Sequence, residues 1–327
     1  MSEKQYLEKQ NKYLNSRNKI WKAFSIFLIV VLVVILFVLL SGNKIKQEKQ
    51  YPFLDPLVGQ VNRQDLISNI EPIRNYLINL EQQNKDKFKI AIYFENLNTG
   101  ANVNINNDYK IWPASLTKLP LVMVVMKKVE EGVWNLNDEL VLLQEDLDSK
   151  SGDMYSQNSV GTRFTVDQLI IKLLVDSGNT AYKILYRNLS ETDYLKLINS
   201  IGLDQLFNKE GKISPKEYSR LLRSLYYSTF LSPKNSEKIL QLLTSSSFKS
   251  FLSKGLPAGI LFAHKYGENL DYNVFSDFGI VYVPGRPYLI AVSIEAIDPQ
   301  NQDETVKKVE GIMQAASKFI FDYVQNY

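Results

Sequence analysis

Strand-forming patterns stand at the two ends of residues 61–327, and helical spacing fills almost everything between them. Near the start, Phe88, Ile90, Ile92 and Phe94 alternate, Asn98-Thr99-Gly100 supplies a turn, and Val103 and Ile105 mark a short second strand. Strand signals return only at 260–266, 274–283 and 287–295, with Pro284-Gly285-Arg286-Pro287 turning between the last two. Helical runs over 115–131, 165–175, 179–188, 191–200, 214–228 and 233–244 occupy the middle. Leu66, Ile67, Ile70, Ile73, Leu77 and Leu80 form an amphipathic helix before the first strand, with Pro72 as a kink or a late start. Val306, Val309, Ile312, Met313, Ala316, Phe319 and Ile320 form another after the last. This order predicts an α+β fold: an antiparallel sheet built from both ends of the chain, flanked by helices, with a mostly helical subdomain at about 113–255. A doubly wound nucleotide fold does not fit, because regular strand–helix alternation and a Gly-rich phosphate loop are both missing.

Ahead of this domain, residues 23–40 read AFSIFLIVVLVVILFVLL without a single charge. A helix apolar all round needs apolar surroundings, and this run with its flanks is long enough to cross a bilayer. It exceeds a typical secretory h-region and no small-x-small cleavage site follows, which favours an uncleaved signal anchor over a cleaved signal peptide or a buried helix. Residues 1–22 carry six basic and two acidic groups, against three and one in 44–49, predicting a single-pass, N-in topology. The expected organisation is a cytoplasmic basic tail at 1–22, a transmembrane anchor at 23–41, a Lys-, Gln- and Pro-containing stalk at 42–60, and a domain at 61–327 outside the cell membrane.

Charge narrows the function classes. The first 49 residues hold nine basic and three acidic groups, leaving 29 basic and 32 acidic groups in the rest, so the domain has no basic excess with which to track nucleic acid. The chain has no cysteine and one histidine, His264. It therefore lacks a thiolate nucleophile and Cys-ligated metals, and offers little for a Ser-His-acid triad or a His-ligated metal. No cofactor is expected.

Three polar clusters carry candidate chemistry. In Pro113-Ala114-Ser115-Leu116-Thr117-Lys118, a helix opening at Ser115 puts Lys118 one turn away on the same face. A lysine whose pKa is lowered by burial can take the serine proton, and a helix start offers N–H groups to an oxyanion. The plain alternative is an N-cap beside a solvated lysine. In Ser177-Gly178-Asn179, the serine can relay a proton and the amide can hold both a lysine and a substrate carbonyl; the alternative is a helix cap. In His264-Lys265-Tyr266-Gly267, Lys265 can supply positive charge to a substrate carboxylate and Gly267 can let a substrate backbone approach an edge strand. There the alternative is an ordinary edge strand, and His264 is read as a packed or hydrogen-bonded neighbour.

Together PASLTK, SGN and HKYG, in this order, resemble the three active-site signatures of the serine β-lactamase and penicillin-binding protein superfamily, most closely class A β-lactamases. LNTG, LVDSGNTAYKIL and DFGIVYVPGRPYLIAV extend the likeness over about residues 62–325. The resemblance implies a β-lactamase-like fold and acyl transfer through a serine ester, on β-lactam amides or on D-alanyl-D-alanine peptides of the cell wall. It implies Ser115 as nucleophile, Lys118 as its base or relay, Ser177 as proton donor to the leaving nitrogen, Asn179 as a substrate and lysine partner, and Lys265 as the source of local potential. Tyr266 and Gly267 fall on the substrate-binding strand, and the N–H groups of Ser115 and Glu268 take the place of the oxyanion hole.

The sequence also departs from that pattern. Gly178 stands where an aspartate is usual, Tyr266 replaces a small hydroxyl residue, and Arg286 lies in the far hairpin turn. The Glu-x-x-Leu-Asn signature of the class A omega loop is absent; Glu210, in an exposed turn, is the candidate for the water-activating base, and Glu217 reads as a capping-box acid after Ser214-Pro215. Three functions stay open: a β-lactamase with slow deacylation, a D-alanyl-D-alanine carboxypeptidase or related penicillin-binding protein, and a non-catalytic wall-binding domain.

Overall fold

The computed structural model describes residues 17–18, 21–22, 24–32, 69–207 and 209–326, in two units, Met1–Gln50 and Tyr51–Tyr327. In the first unit the described residues are helical, and Phe24 to Leu32 present largely exposed apolar side chains. No helix among the described residues is long and apolar enough to cross a membrane. Residue 23 and residues 33–41 of the expected span, with the stalk at 42–60, lie outside the described residues.

In the second unit, helix α1 (Glu71–Asn84) precedes strands β1 (Phe88–Asn96) and β2 (Asn102–Ile105). A 3-10 turn at Ala114–Thr117 leads into α2 (Lys118–Glu130). The helical block continues through β3 (Glu139–Val141), α3 (Met154–Gln157), β4 (Arg163–Thr165), α4 (Val166–Val175), α5 (Asn179–Tyr186), α6 (Glu191–Ile201), α7 (Pro215–Tyr226) and α8 (Pro233–Thr244). Strands β5 (Phe262–Asn269), β6 (Val274–Val281) and β7 (Tyr288–Ala296) and helix α9 (Gln302–Asn326) complete it. Pro72 marks a late start, since α1 carries it in the first turn, where its missing N–H has no helical partner to lose.

The five-stranded sheet has the order β2-β1-β7-β6-β5, with every pair antiparallel. The join between the two ends of the chain is β1 on β7, in register from Phe88 opposite Ala296 to Asn96 opposite Tyr288. Alternation then divides the side chains. Ile90, Ile92, Phe94, Val292 and Ile294 pack with Ile73 and Leu77 of α1 and Val309, Met313 and Ile320 of α9. Tyr93, Phe278, Ile280, Leu289 and Ala291 face the helical block. Sheet faces covered on both sides explain why these strands read as nearly continuous apolar runs.

Within the block, every residue of α2 from Lys118 to Met126 is buried. A helix surrounded by protein on all sides is a central post, and its N-terminus is consequently held from several directions. Two details differ from the sequence expectation. The short ribbon of β3 and β4, three residues a strand, breaks the helical middle; segments so brief show no readable period. The helix expected from Ser115 starts with a 3-10 turn and becomes α-helical only at Lys118. Pro120 accounts for this, because it has no N–H to offer the Leu116 carbonyl. That carbonyl instead accepts a hydrogen bond from the Tyr218 hydroxyl of α7 at 2.8 Å.

The outer layer has one very close crossing. A Cβ at Gly255, in the 3-10 turn before β5, would lie 2.5 Å from the Gln314 carbonyl oxygen and 2.6 Å from Ser317 Cβ of α9. Gly255→Ala should therefore destabilise the domain by about 1–3 kcal/mol, the usual scale of overpacking, as measured by urea unfolding. An unchanged midpoint would show that α9 can move away freely.

Candidate active site

The N-terminal end of α2, the turn before α5 and edge strand β5 converge on one lysine. Lys118 Nζ donates to Ser115 Oγ at 2.9 Å, Ser177 Oγ at 3.0 Å and Asn179 Oδ1 at 2.7 Å, and also contacts the Ser177 carbonyl oxygen. Lys265 Nζ of β5 reaches the same Ser177 hydroxyl at 2.9 Å. The side chains of all three clusters thus meet, with Ser177 Oγ between two amines.

Electrostatics follow from burial. Lys118 is 3 % exposed, and loss of hydration lowers its pKa to about 8, against a partial opposing pull from Asp148. Lys265, 1 % exposed, is held well below the usual lysine value by burial first and by the Lys118 charge second, with Asp277 opposing. Two adjacent buried amines cannot both keep a proton easily, so the pair is suited to accept one.

Backbone placement is correspondingly constrained. Ala114 (φ 45°) and Ser177 (φ 57°) both adopt the left-handed region. Each such residue costs on the order of 1–3 kcal/mol, which the surrounding packing must hold in place. Gly267 is required by the protein itself: a Cβ there would lie 2.7 Å from the Pro113 carbonyl oxygen and 3.2 Å from Leu116 Cγ. From the sequence alone, its small size suits an approaching substrate backbone. In the structure the approaching group is the 3-10 turn that carries Ser115.

Space does not require glycine at 178, where φ is -64° and a Cβ would meet the Lys172 carbonyl oxygen at 3.4 Å; the tight position is its neighbour in space, residue 152. Gly152, with φ 80°, lies so close that a Cβ on residue 152 would be 2.7 Å from Gly178 Cα. The loop at 148–152 packs against the Ser177-Gly178-Asn179 turn. Ser151 Oγ donates to the Ser177 carbonyl at 2.9 Å, and the Asn179 N–H donates to the Ser151 carbonyl at 3.0 Å. Asp148 accepts from Asn179 Nδ2 at 3.1 Å and pairs with Lys183 at 3.1 Å. Burial pushes the Asp148 carboxyl up, but hydrogen bonds from the Lys150 N–H, Asn179 and Lys183 outweigh it and hold the pKa below the usual value. With Nδ2 committed to Asp148, Asn179 must turn Oδ1 toward Lys118.

A cavity of about 650 Å³ opens beside Ser115. Its wall includes Lys118, Asn179, Tyr266 and Glu268 from the predicted set, and Asp148, Lys150, Ser151, Tyr182 and Lys183 besides. The last two follow Asn179 by three and four residues on α5, a helical spacing that places them on one face. Asn269, Leu270 and Asp271, at the end of β5, line the other side. Burial on the Glu268 carboxyl, reinforced by Glu310, raises its pKa.

Three predicted residues, Ser177, Lys265 and Gly267, are not part of this wall. Ser177 is 0 % exposed and, like Lys265, does not line the cavity, whereas Tyr266 does. The Tyr266 ring stacks on Phe248 with centroids 3.7 Å apart, and Lys265 Nζ stands 4.4 Å from its centroid. Burial raises the phenol pKa, and a hydrogen bond with Ser177 pulls the other way.

Glu210 is corrected as the candidate water-activating base: it does not line the cavity, its side chain is 69 % exposed, and it pairs with Lys212 at 3.4 Å. The bridge between Ile111 and Ile213 fixes this segment, with Gly211 against Trp112, and leaves the Glu210 carboxylate in water. Glu217 forms the expected capping box with Ser214 and is paired with Lys110 at 2.6 Å. His264 Nδ1 lies 2.7 Å from Asp277 Oδ1 and its ring stacks on Phe262, so it is a packed partner of β6. Arg286 donates to the Val324 carbonyl at the end of α9.

Residues 72–324 match the model of a family described as beta-lactamase enzyme family. The chain is 22 % identical over 261 residues to β-lactamase VEB-1 of Pseudomonas aeruginosa, covering 73 % of this chain and 86 % of that one. Among solved structures, TLA-3 extended-spectrum β-lactamase superposes with a TM-score of 0.69 at 19 % identity, covering 79 % of this chain and 100 % of that one. PBP-A gives a TM-score of 0.66 at 21 % identity over 77 % and 97 %, and a mutant of it, solved as an acyl-enzyme with penicillin G, gives 0.65. These likenesses share the fold described above.

Only the neutral form of Lys118 can take a proton, and its fraction grows as pH rises toward about 8. Reaction of Ser115 with an activated ester should accelerate about tenfold per pH unit below that value and level off above it. A rate independent of pH between 6 and 9, followed by mass spectrometry, would remove Lys118 as the base.

Proposed function

The chain belongs to the beta-lactamase enzyme family, and is a serine hydrolase of that type; we propose that it opens β-lactam amides through an ester on Ser115, from a domain anchored at the outer face of the cell membrane. The observation that carries the chemistry is the single amine of Lys118 within 3.0 Å of Ser115 Oγ, Ser177 Oγ and Asn179 Oδ1. In this reading Lys118 Nζ takes the Ser115 proton as Oγ bonds to the amide carbon. The oxyanion is received by the N–H groups of Ser115 and Glu268. As the C–N bond breaks, the proton returns through Ser177 and the Tyr266 phenol in front of it to the leaving nitrogen. Water then cleaves the ester and regenerates Ser115.

A second reading, a D-alanyl-D-alanine carboxypeptidase or related penicillin-binding protein, is favoured by a specific feature. Glu210 is solvated and outside the cavity, Asp148 is committed to Asn179 and Lys183, and the other carboxylates of the wall, Glu268 and Asp271, belong to the end of β5 and the turn after it, which leaves the Asn179 side with no uncommitted carboxylate. A missing general base is worth about 10²- to 10⁴-fold in rate, enough to let acylation outrun hydrolysis. Among the structural neighbours, a PBP-A mutant is described as an acyl-enzyme complex with penicillin G.

A fluorescent penicillin separates the two. A covalent adduct that turns over in seconds supports the hydrolase of β-lactams, and one that lasts for many minutes supports the peptidase. Ser115→Ala should abolish labelling in either case while leaving thermal unfolding within a few degrees of the parent; labelling that survived would move the nucleophile elsewhere.

Membrane attachment rests on the uncharged run at 23–40 and the more basic flank before it. In a membrane fraction the chain should resist extraction by high salt and be released by detergent. Release by salt alone would exclude the anchor.

A further inference from the structure

The chain's one histidine joins a serine to a buried carboxylate, and none of the three lines the cavity beside Ser115. The imidazole of His264 is fixed in place. It stacks on Phe262 with centroids 4.3 Å apart, and across the sheet it stands opposite Gly279, where a Cβ would come 2.6 Å from His264 Cβ. Asp277 accepts the Leu252 N–H on Oδ2 at 3.2 Å, and its Oδ1 is 2.7 Å from His264 Nδ1. A carboxylate only accepts, so the imidazole proton belongs on Nδ1 and Nε2 keeps its lone pair. Facing that lone pair, at 3.4 Å, is Ser253 Oγ.

The 3-10 turn that presents this serine, Phe251–Gly255, is strained and held at both ends. Phe251 has φ 50°, a left-handed backbone that a bulky side chain rarely adopts. Burial of its ring against Phe248 at 4.9 Å and Phe275 at 6.2 Å, together with the bond from Leu252 to Asp277, keeps it there. At the other end, Gly255 meets α9 too closely to admit a side chain. Strain that the surroundings over-determine points to a side chain held for a purpose. His264 and Asp277 are 1 % and 0 % exposed, whereas Ser253 is only half-buried and its neighbour Lys254 is exposed. The hydroxyl is therefore open to solvent while the base and acid behind it are sealed.

We propose that Ser253, backed by His264 and Asp277, is a second nucleophilic site of this domain, separate from Ser115, which takes small acyl groups from activated esters. Ser253 Oγ bonds to the ester carbonyl carbon as its proton passes to His264 Nε2; the ester C–O bond then breaks, and the alcohol or phenol leaves with that proton. Asp277 holds the tautomer that makes Nε2 the acceptor. A serine–imidazole spacing of 3.4 Å is of the loose kind that such pairs show without a ligand. A serine at the surface gives a substrate few contacts, which restricts the site to small groups that arrive already activated.

The test uses the full-length Ser115→Ala protein, so that the first nucleophile is absent, and a phosphonyl fluoride as probe, which reacts as an activated ester does but leaves a lasting adduct on serine with loss of fluoride. Peptide mapping should find Ser253 labelled at least about a hundredfold faster than Ser247 and Ser250, within the range of about 10²- to 10⁴-fold that a positioned base supplies. Those two are internal controls, because their hydroxyls donate to the Val175 carbonyl and to Glu310 instead of an imidazole. His264→Gln should remove the advantage. Asp277→Asn, which can donate to Nδ1 and so move the imidazole proton to Nε2, should do the same, with circular dichroism on each variant to check the fold. If either variant unfolds, the selectivity for Ser253 over Ser247 in the Ser115→Ala protein decides the matter. Labelling spread evenly over the three serines, no adduct at all, or an unchanged rate in a folded His264→Gln protein overturns the proposal. Ser115 takes no part in these measurements, so their outcome is independent of the acylation assigned to it.

Discussion

A lysine amine removed almost entirely from water has to be surrounded by oxygen atoms, and that demand at Lys118 organises the domain's interior. Its partners come from the 3-10 turn before α2 and from the Ser177-Gly178-Asn179 turn, about sixty residues later in the chain. Lys265, from β5, joins through the Ser177 hydroxyl they share. Satisfying one buried group therefore ties the helical block to the sheet. The same burial that makes the amine expensive to charge lowers its pKa to about 8, so stability and protonation state draw on one interaction.

The sheet makes this convergence rigid. Pairing of β1 with β7 leaves β5 as an edge strand, and the turn carrying Ser115 docks against Gly267 with no room for a side chain. On the opposite side, Tyr218 of α7 secures the carbonyl that Pro120 cannot, fixing the 3-10 geometry just before Lys118. The left-handed backbones of Ala114 and Ser177 are held within this framework. The loop at 148–152 completes the site by bracing Asn179, a task that no feature of its local pattern advertised.

Much of the arrangement was legible from spacing. The strand segments, the helical middle, the final helix and, from Glu71 onward, the first helix appear within a few residues of where their periodicity puts them, because each packs one or both faces against a core that rewards that period; Leu66 and Ile67 lie outside the described residues. Ser115, Lys118, Ser177, Asn179 and Lys265 were identifiable as three short clusters, and they do meet. The ribbon of β3 and β4 was too short to leave a pattern. Asp148, Lys150 and Ser151 lie on a loop whose proximity to Asn179 depends on how the block folds back on itself. Glu210 was misplaced for the same reason: its distance from Ser115 along the chain says nothing about which way the turn at 209–212 faces.

By itself the sequence determined the kinds of chemistry available: serine hydroxyls, lysine amines and a carboxamide in three short clusters, no thiol and a single histidine. It also set the periodicities that choose strand or helix, since those depend on neighbours only a few residues away. Only the tertiary structure decided which groups face the cavity and which stand behind it. Lys265 and Tyr266 are adjacent in the chain, yet the lysine is sealed and the tyrosine forms the wall, because exposure depends on what distant segments pack over each side chain, here Phe248 and the Ser177 turn.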